Sequence, residues 1–484
     1  MNQLNRNTAK VSAPYPERIL QFGGGNFLRG FVDWIVDEYN EKAGSQLGIL
    51  VVKPTERGDY QSWRDQEGLF YVLTKGIRNG ELVDEKRLVT SVSRIIHPYR
   101  EWETYLASAE NPDLRYVVSN TTESGIRFSD QDQKTDTPPK EFPAKLTLWL
   151  YHRYQHFSGA ANKGCIIIPL ELLNDNGDLL KDCMLQNATN WHLESGFIEW
   201  IHSANIFCNT LVDRIVPGVG EQALGNAWES IGFKDHLITQ GEPYHLWAIE
   251  APAELRKELP LDKIGLNVIY ADDLAPFRTI KVRILNGAHT SMVPVGYLYG
   301  LETVRETVEH EVVGTFVRQV IFEEIIPTLD IDAATLDKFA NDVLDRFKNP
   351  FIKHQLISIA LNAVSKFKTR VLPSLLEYVN RKNALPKGMV LSFASLLRFY
   401  KGEINGQQIP LKDERWATDF LQNCWQNYDA TKEGLGQMAE QILQWEEAWD
   451  VDLNTVPGLH EMLVNYLHQM DSIGVRETVK KNLS

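Results

Sequence analysis

In the first half of the chain, apolar residues fall into short β-branched runs. Between the runs, apolar positions recur every three or four residues. Arg18-Ile19-Leu20-Gln21-Phe22 reads as a strand and ends at Gly23-Gly24-Gly25. From Asn26 to about Tyr39, the residues Phe27, Phe31, Trp34, Ile35 and Val36 mark one buried helix face. A second apolar run, Leu47 to Val52, stops at Lys53-Pro54. Strand, glycine turn, helix, strand is a βαβ unit, and it predicts a parallel sheet. Tyr116-Val117-Val118-Ser119 and Cys165-Ile166-Ile167-Ile168-Pro169 are nearly continuous apolar runs, as strands covered on both faces are.

From Arg278 onward the period changes to that of helices. Val312 to Ile325, Ala333 to Phe347, Lys353 to Phe367, Val371 to Tyr378 and Met389 to Tyr400 carry it most clearly. Prolines at 327, 350, 373, 386 and 410 fall between these runs or near their starts, where helices begin or end. The change of pattern comes near Asp272-Asp273-Leu274-Ala275-Pro276. The expected fold class is therefore α/β. A Rossmann-type parallel-sheet domain over residues 1–275 precedes a mostly α-helical substrate domain over 276–484.

Composition narrows the function classes. The 484 residues carry 50 Lys+Arg against 64 Asp+Glu, a formal charge of −14. That balance argues against nucleic acid or an anionic membrane as the main partner. Hydrophobic residues at 43% and charged residues at 24% are ordinary for a globular protein. Four scattered cysteines, at 165, 183, 208 and 424, suit neither a disulfide framework nor a cysteine-rich zinc site. The polar start MNQLNRNTAK has no apolar core of a signal peptide, so a cytoplasmic protein is expected.

Candidate chemistry begins at the glycine turn. Gly23 and Gly25 are the first two glycines of G-x-G-x-x-G, with Leu28 at the third position. The first allows a tight turn, and the second lets a pyrophosphate approach the backbone at a helix N-terminus. Arg29, in the first helical turn, either reaches a phosphate or is a solvated helix charge. The acid that should hold an adenosine ribose is missing from the second strand, which ends at Lys53. Lys53 either favours a 2′-phosphate or points to solvent, and Glu56 or Asp59 could serve the ribose instead.

The most informative segment is Thr279 to Thr290, where Lys281, Asn286 and His289 are spaced K-x4-N-x2-H. On an α-helix Asn286 lies ~140° and His289 ~80° from Lys281, so the three share half of its surface. A buried lysine can act as a base near neutral pH, and an amide beside it can hold a developing alkoxide. A salt-bridged lysine among ordinary helix polar residues has the same spacing.

This segment resembles the signature of the mannitol dehydrogenase family, the polyol-specific long-chain dehydrogenases. Four further motifs, spread over nearly the whole chain, are similar to family blocks. These are Gly23-Gly24-Gly25-Asn26-Phe27-Leu28-Arg29, Ser119-Asn120-Thr121-Thr122-Glu123, Asn209 to Ile215, and Asn349-Pro350 with Lys366. The resemblance implies NAD as cofactor, bound by Gly23, Gly24, Gly25, Asn26, Phe27, Arg29, Asn120, Thr121 and Glu123. It implies Lys281 as general acid/base, Asn286 on the reacting oxygen, and His289 orienting hydroxyls or the lysine. It places Lys366 and Asp213 at the substrate and implies no catalytic metal. The closest likeness within the family is to members that interconvert D-tagaturonate and D-altronate, so the expected partner is a small sugar acid.

Two departures bear on the pocket. The family's C-D-N motif, whose Asn helps form the oxyanion site, is Leu170-Glu171-Leu172 here. The arginine eight residues before the family's second lysine is Ser358. Both changes fit a substrate that bears a carboxylate, and a cation must then read it. Lys353, His354, Lys366, Lys368 and Arg370 are the nearby basic residues. Lys353 and Lys366 share a face if Lys353–Phe367 is one helix, and Lys366 is the expected reader; Lys368 and Arg370 are expected to be surface charges. His310-Glu311 lacks the second histidine of H-E-x-x-H, and His152 with His156 lacks a third ligand, so no metal site is expected. A dinucleotide sensor without turnover would need the glycine turn but not Lys281, Asn286 and His289. The tryptophans at 416, 425, 445 and 449 are expected to pack helices.

Overall fold

The computed structural model describes residues 1–404 and 406–483. The chain divides into two compact units, residues 1–75 with 82–274 and residues 76–81 with 275–484.

The first unit is built on six parallel strands: β1 (Glu17–Phe22), β2 (Gly48–Val52), β3 (Val92–Ile96), β4 (Tyr116–Ser119), β5 (Ile166–Pro169) and β6 (Ile206–Phe207). Their order is β3-β2-β1-β4-β5-β6, the doubly wound arrangement in which the strand order reverses between β1 and β4. Alternation along each strand divides the side chains between two cores. Ile19, Ile49, Val51, Val118, Ile166 and Ile168 enter one. Leu20, Phe22, Leu50, Val52, Val117 and Ile167 enter the other. Both sets are sealed from water, which is why the strands read as continuous apolar runs.

A helix over residues 26–43, α1, follows the glycine turn and contains a π turn at Arg29–Asp33. Two three-stranded sheets were not foreseen. One joins Phe70–Arg78, Glu81–Val89 and Thr239–Gly241; the other joins Asn209–Asp213, Leu246–Glu250 and Val268–Ala271. Glu81–Val89 is mostly exposed and rich in charge, so its sequence carries no apolar run to betray a strand.

The second unit has a single core drawn from its helices. Its central element, α2, runs over residues 275–299 and has a π turn at Lys281–Asn286. The turn is marked by the bond from the Gly287 N–H to the carbonyl of Val282, five residues back. Beyond it α2 is apolar on almost every side, as a helix packed all round must be. The expected helix Lys353–Phe367 is two pieces, Leu356–Ile359 and α3 (Ala363–Arg370). Asn362 breaks it with φ of +52°, a left-handed conformation that Asn tolerates, and donates its N–H to the Lys412 carbonyl. Lys353 lies in the preceding loop, so the thirteen-residue spacing does not put it on one face with Lys366.

The tryptophans pack helices as expected. Trp425 and Trp449 are buried with their indole N–H groups on the Leu397 and Ile442 carbonyls, and Trp416 meets Trp445 edge-on. Among the described residues no helix is long and apolar enough to cross a membrane. All four cysteines are free and buried.

Helix α4 (Lys387–Phe399) packs on α2 and has no capping side chain of its own. Glu324, buried in a third π turn (Val320–Ile325), supplies the cap: its two oxygens accept the N–H groups of Gly388 at 2.7 Å and Met389 at 2.8 Å. Burial pushes its carboxyl up to about 7 against the pull of those bonds. Replacing Glu324 with Ala leaves two buried N–H groups unmet and should lower stability by about 2–4 kcal/mol. Thermal unfolding of the variant checks this, and an unchanged melting temperature would refute the capping role.

Candidate functional site

The two nucleotide motifs of the first unit meet at the point where the sheet reverses. Phe22 and Ser119 are paired across β1 and β4, and the Asn120 N–H donates to the Phe22 carbonyl at 3.2 Å. The chain leaves β1 through Gly23 at φ +113°, where a Cβ would sit 2.8 Å from Leu28 Cδ1 and 3.1 Å from the Asn120 carbonyl oxygen. Only glycine fits there. Gly24 is covered by Tyr60 and Trp63, whereas a Cβ on Gly25 would have no neighbour within 4 Å. The exposed backbone of Gly25 and the α1 N-terminus thus offer amide groups to an approaching phosphate.

Arg29 is engaged within this turn. Its guanidinium donates to the Gly24 carbonyl at 2.5 Å and to Asn26 Oδ1 at 2.6 Å, and lies over the Trp63 ring. It braces the turn from inside. Phe27 stacks on Phe31 with ring centroids 4.9 Å apart, and Glu123 is exposed.

At the end of β4, Asn120 donates its side-chain N–H to the Leu170 carbonyl. Thr121 donates both its backbone N–H (2.8 Å) and its hydroxyl (2.9 Å) to Glu171, which also accepts from Ser119. Burial raises the Glu171 carboxyl, and these donors oppose that. Glu171 therefore fixes the Ser119-Asn120-Thr121 turn, a role missed in the sequence. Its one signal was an acid just past the end of an apolar strand. Next to it, Leu172 is 58% exposed.

Lys53 neither points to solvent nor is open to a 2′-phosphate. It is buried, and its ammonium donates to the carbonyls of Thr55 and Arg57 and to the Thr55 hydroxyl. Asp213, the last residue of strand Asn209–Asp213, is also buried.

In the second unit the π turn changes the expected angles. The wider π turn brings residues five apart closer to one face than the ~140° of an α-helix, so Asn286 is turned toward the face of Lys281. Lys281 and Asn286 are both partly buried. His289 follows one α-turn on, 4.3 Å from the Phe347 ring and 5.3 Å from the His354 ring. Its Nε2 is buried with no hydrogen-bond partner. Burial holds its pKa well below the usual histidine value, and the charges of His354, Arg346, Arg370 and Lys366 act in the same direction. Lys366, on α3, donates to the Ile359 carbonyl at 2.9 Å. Lys368 pairs with Asp450, as a surface charge should. Asn349 is buried and caps its own turn through the Phe351 N–H.

The histidines set aside in the sequence have other partners. His310 accepts the N–H groups of Val312 and Val313 as the N-cap of Glu311–Gln319, and His152 faces Glu110 at 2.9 Å. Among the described residues no group of three His, Cys, Asp or Glu side chains is disposed to hold a metal ion.

A doubly wound sheet with a glycine turn at its switch point is a dinucleotide-binding domain. The model of the mannitol dehydrogenase Rossmann domain matches residues 17–263, and that of the mannitol dehydrogenase C-terminal domain matches residues 273–471. The chain belongs to the mannitol dehydrogenase family. It is 44% identical over 481 residues to an altronate oxidoreductase of Bacillus subtilis, covering 99% of this chain and 98% of that one. The altronate oxidoreductase of Escherichia coli O1:K1 is 43% identical over 99% of both chains. A substrate-free D-sorbitol dehydrogenase shares the fold at a TM-score of 0.81, with 21% identity over 99% of this chain and 100% of its own. So does Pseudomonas fluorescens mannitol 2-dehydrogenase in complex with NAD and D-mannitol, at a TM-score of 0.65, 21% identity, and 100% and 99% coverage.

The partly buried His289, its Nε2 sealed from water, gives the second unit a pH dependence. The unfolded chain takes up this proton near 6.5, the folded chain only at much lower pH. Below 6.5 the unfolded state therefore binds more protons, and stability falls as the pH drops. Melting temperatures from about pH 7.5 down to about pH 5 should fall less steeply for His289→Gln than for the native chain. Parallel slopes would contradict a neutral His289.

Proposed function

We propose that the chain is an NAD-dependent oxidoreductase that interconverts D-altronate and D-tagaturonate, with Lys281 as general acid/base and no catalytic metal. The relation to altronate oxidoreductases at 43–44% identity over nearly the whole of each chain carries this reading. The glycine turn and the Ser119–Glu123 turn hold the dinucleotide, with the open side of Gly25 taking the pyrophosphate. Bound NADH supplies the hydride for the keto carbon.

Lys281 gives its proton to the keto oxygen in reduction and takes the hydroxyl proton in oxidation. Asn286, at the other end of the same π turn, donates an amide N–H to the same oxygen. His289 stays neutral and so can orient a substrate hydroxyl as donor or acceptor. Lys366 and Asp213 contact the remaining hydroxyls.

Three measurements test this. A panel of ketouronates and ketoses, followed by NADH absorbance, should give the highest kcat/KM for D-tagaturonate. A preference for D-fructuronate or D-fructose would move the chain to a sister activity. Lys281→Ala should lower kcat by ~10²–10⁴-fold with NADH affinity intact, and retention of more than about a tenth of kcat would refute the assignment. Because Lys53 is committed to its own loop, kcat/KM should be higher with NADH than with NADPH. The opposite order would overturn NAD as cofactor.

A further inference from the structure

If the substrate carries a carboxylate, some cation in the second unit must read it, because an unpaired buried carboxylate is costly. The basic residues around His289 differ in what already occupies them. Lys366 donates to the Ile359 carbonyl and is drawn by Asp413. Lys368 is paired with Asp450. Lys353, in the loop before Leu356–Ile359, acts on Glu306. Arg283, on the π turn itself, reaches the Thr369 carbonyl at 3.4 Å.

Arg370 is different. It is partly buried at the C-terminal end of α3, and among the described residues its guanidinium has neither a hydrogen bond nor an ion pair. Its backbone is pinned against the catalytic stretch of α2: the Arg370 carbonyl oxygen would lie 3.2 Å from a Cβ on Gly287, the residue after Asn286. The Arg283–Thr369 contact fastens the same corner one turn earlier. A Cβ at 287 would require the end of α3 to give by a few tenths of an ångström. Arg370 also feels a low-polarity setting, since burial alone lowers its pKa, and its charge acts on His289.

We infer that Arg370 is the specificity residue that reads the sugar-acid carboxylate, through the two parallel N–H groups of its guanidinium, while Lys366 serves the hydroxyls. The inference rests on the proposed activity and deepens it. Guanidinium suits this task, because its planar fork matches a carboxylate at two points and its charge persists when partly buried. A neutral polyol offers Arg370 nothing in return for its desolvation, so the residue also selects against polyols.

The test compares binding of D-altronate with that of the neutral polyol D-altritol to the enzyme–NADH complex, by calorimetry. The native enzyme should prefer D-altronate. In Arg370→Met the affinity for D-altronate should fall about ten- to a hundredfold, the range for a charge-assisted bond, and the preference should collapse. Arg370→Lys, which keeps the charge but not the fork, should lie between, and Lys366→Met should weaken both ligands alike. A native enzyme that binds neither D-altronate nor D-tagaturonate would overturn the proposed activity, and this inference with it. A native preference for D-altronate that survives in Arg370→Met would overturn Arg370 alone. So would a preference abolished instead by Lys366→Met.

Discussion

A parallel sheet must be covered on both faces, and the first unit is organised by that requirement. Successive residues of β1, β2, β4 and β5 enter opposite cores, so each strand contributes to two apolar layers at once. The reversal of strand order between β1 and β4 then leaves two turns side by side at the carboxyl ends of the strands. At such a reversal the connections from neighbouring strands run to opposite faces. The glycine turn and the Ser119–Glu123 turn occupy it. Arg29 and Glu171 supply the rigidity that loops lack, each by bonding to backbone within a few residues of its motif.

The sequence was most legible where one physical rule acts alone. Buried parallel strands need unbroken apolar runs, and all four strands proposed from such runs stand within a residue or two of their expected ends. The fifteen-residue helix Ala333–Phe347 was readable for the same reason, since its apolar stripe is uninterrupted. Glu81–Val89 was illegible because a largely exposed strand is selected for charge rather than hydrophobicity. The break at Asn362 was illegible too. The helical period continues through it, and the tertiary bond to Lys412 decides the local conformation.

The site shows a subtler limit. Lys281, Asn286 and His289 could be named from spacing and family likeness, but their mutual geometry could not, because periodicity assumes an α-helix throughout. A π turn inserts one residue into the ladder and re-aims everything before it. Three such turns occur among the described residues, at Arg29–Asp33, Lys281–Asn286 and Val320–Ile325. Each holds a buried or partly buried ionisable group, Asp33, Lys281 and Glu324 respectively. A π turn has poorer hydrogen bonding than the α-helix it interrupts, so it persists where the side chains it positions gain more than the backbone loses.

The electrostatics around His289 follow from the same packing. Several like charges, Arg346, Arg370 and Lys366 among them, surround one imidazole, and nothing in that cluster is gained by adding another proton. Burial and neighbouring cations both favour the neutral ring. Cations held this close together favour an anion among them. The attraction is larger than in water, because the charges are already fixed and partly desolvated. A sugar acid would thus find its carboxylate partner prepaid by the folding of the second unit. A sugar alcohol of the same length would bring no charge to meet them. On the proposed reading, selection between them would then rest on the cations that the fold holds in place around α2 as well as on the shape of the pocket.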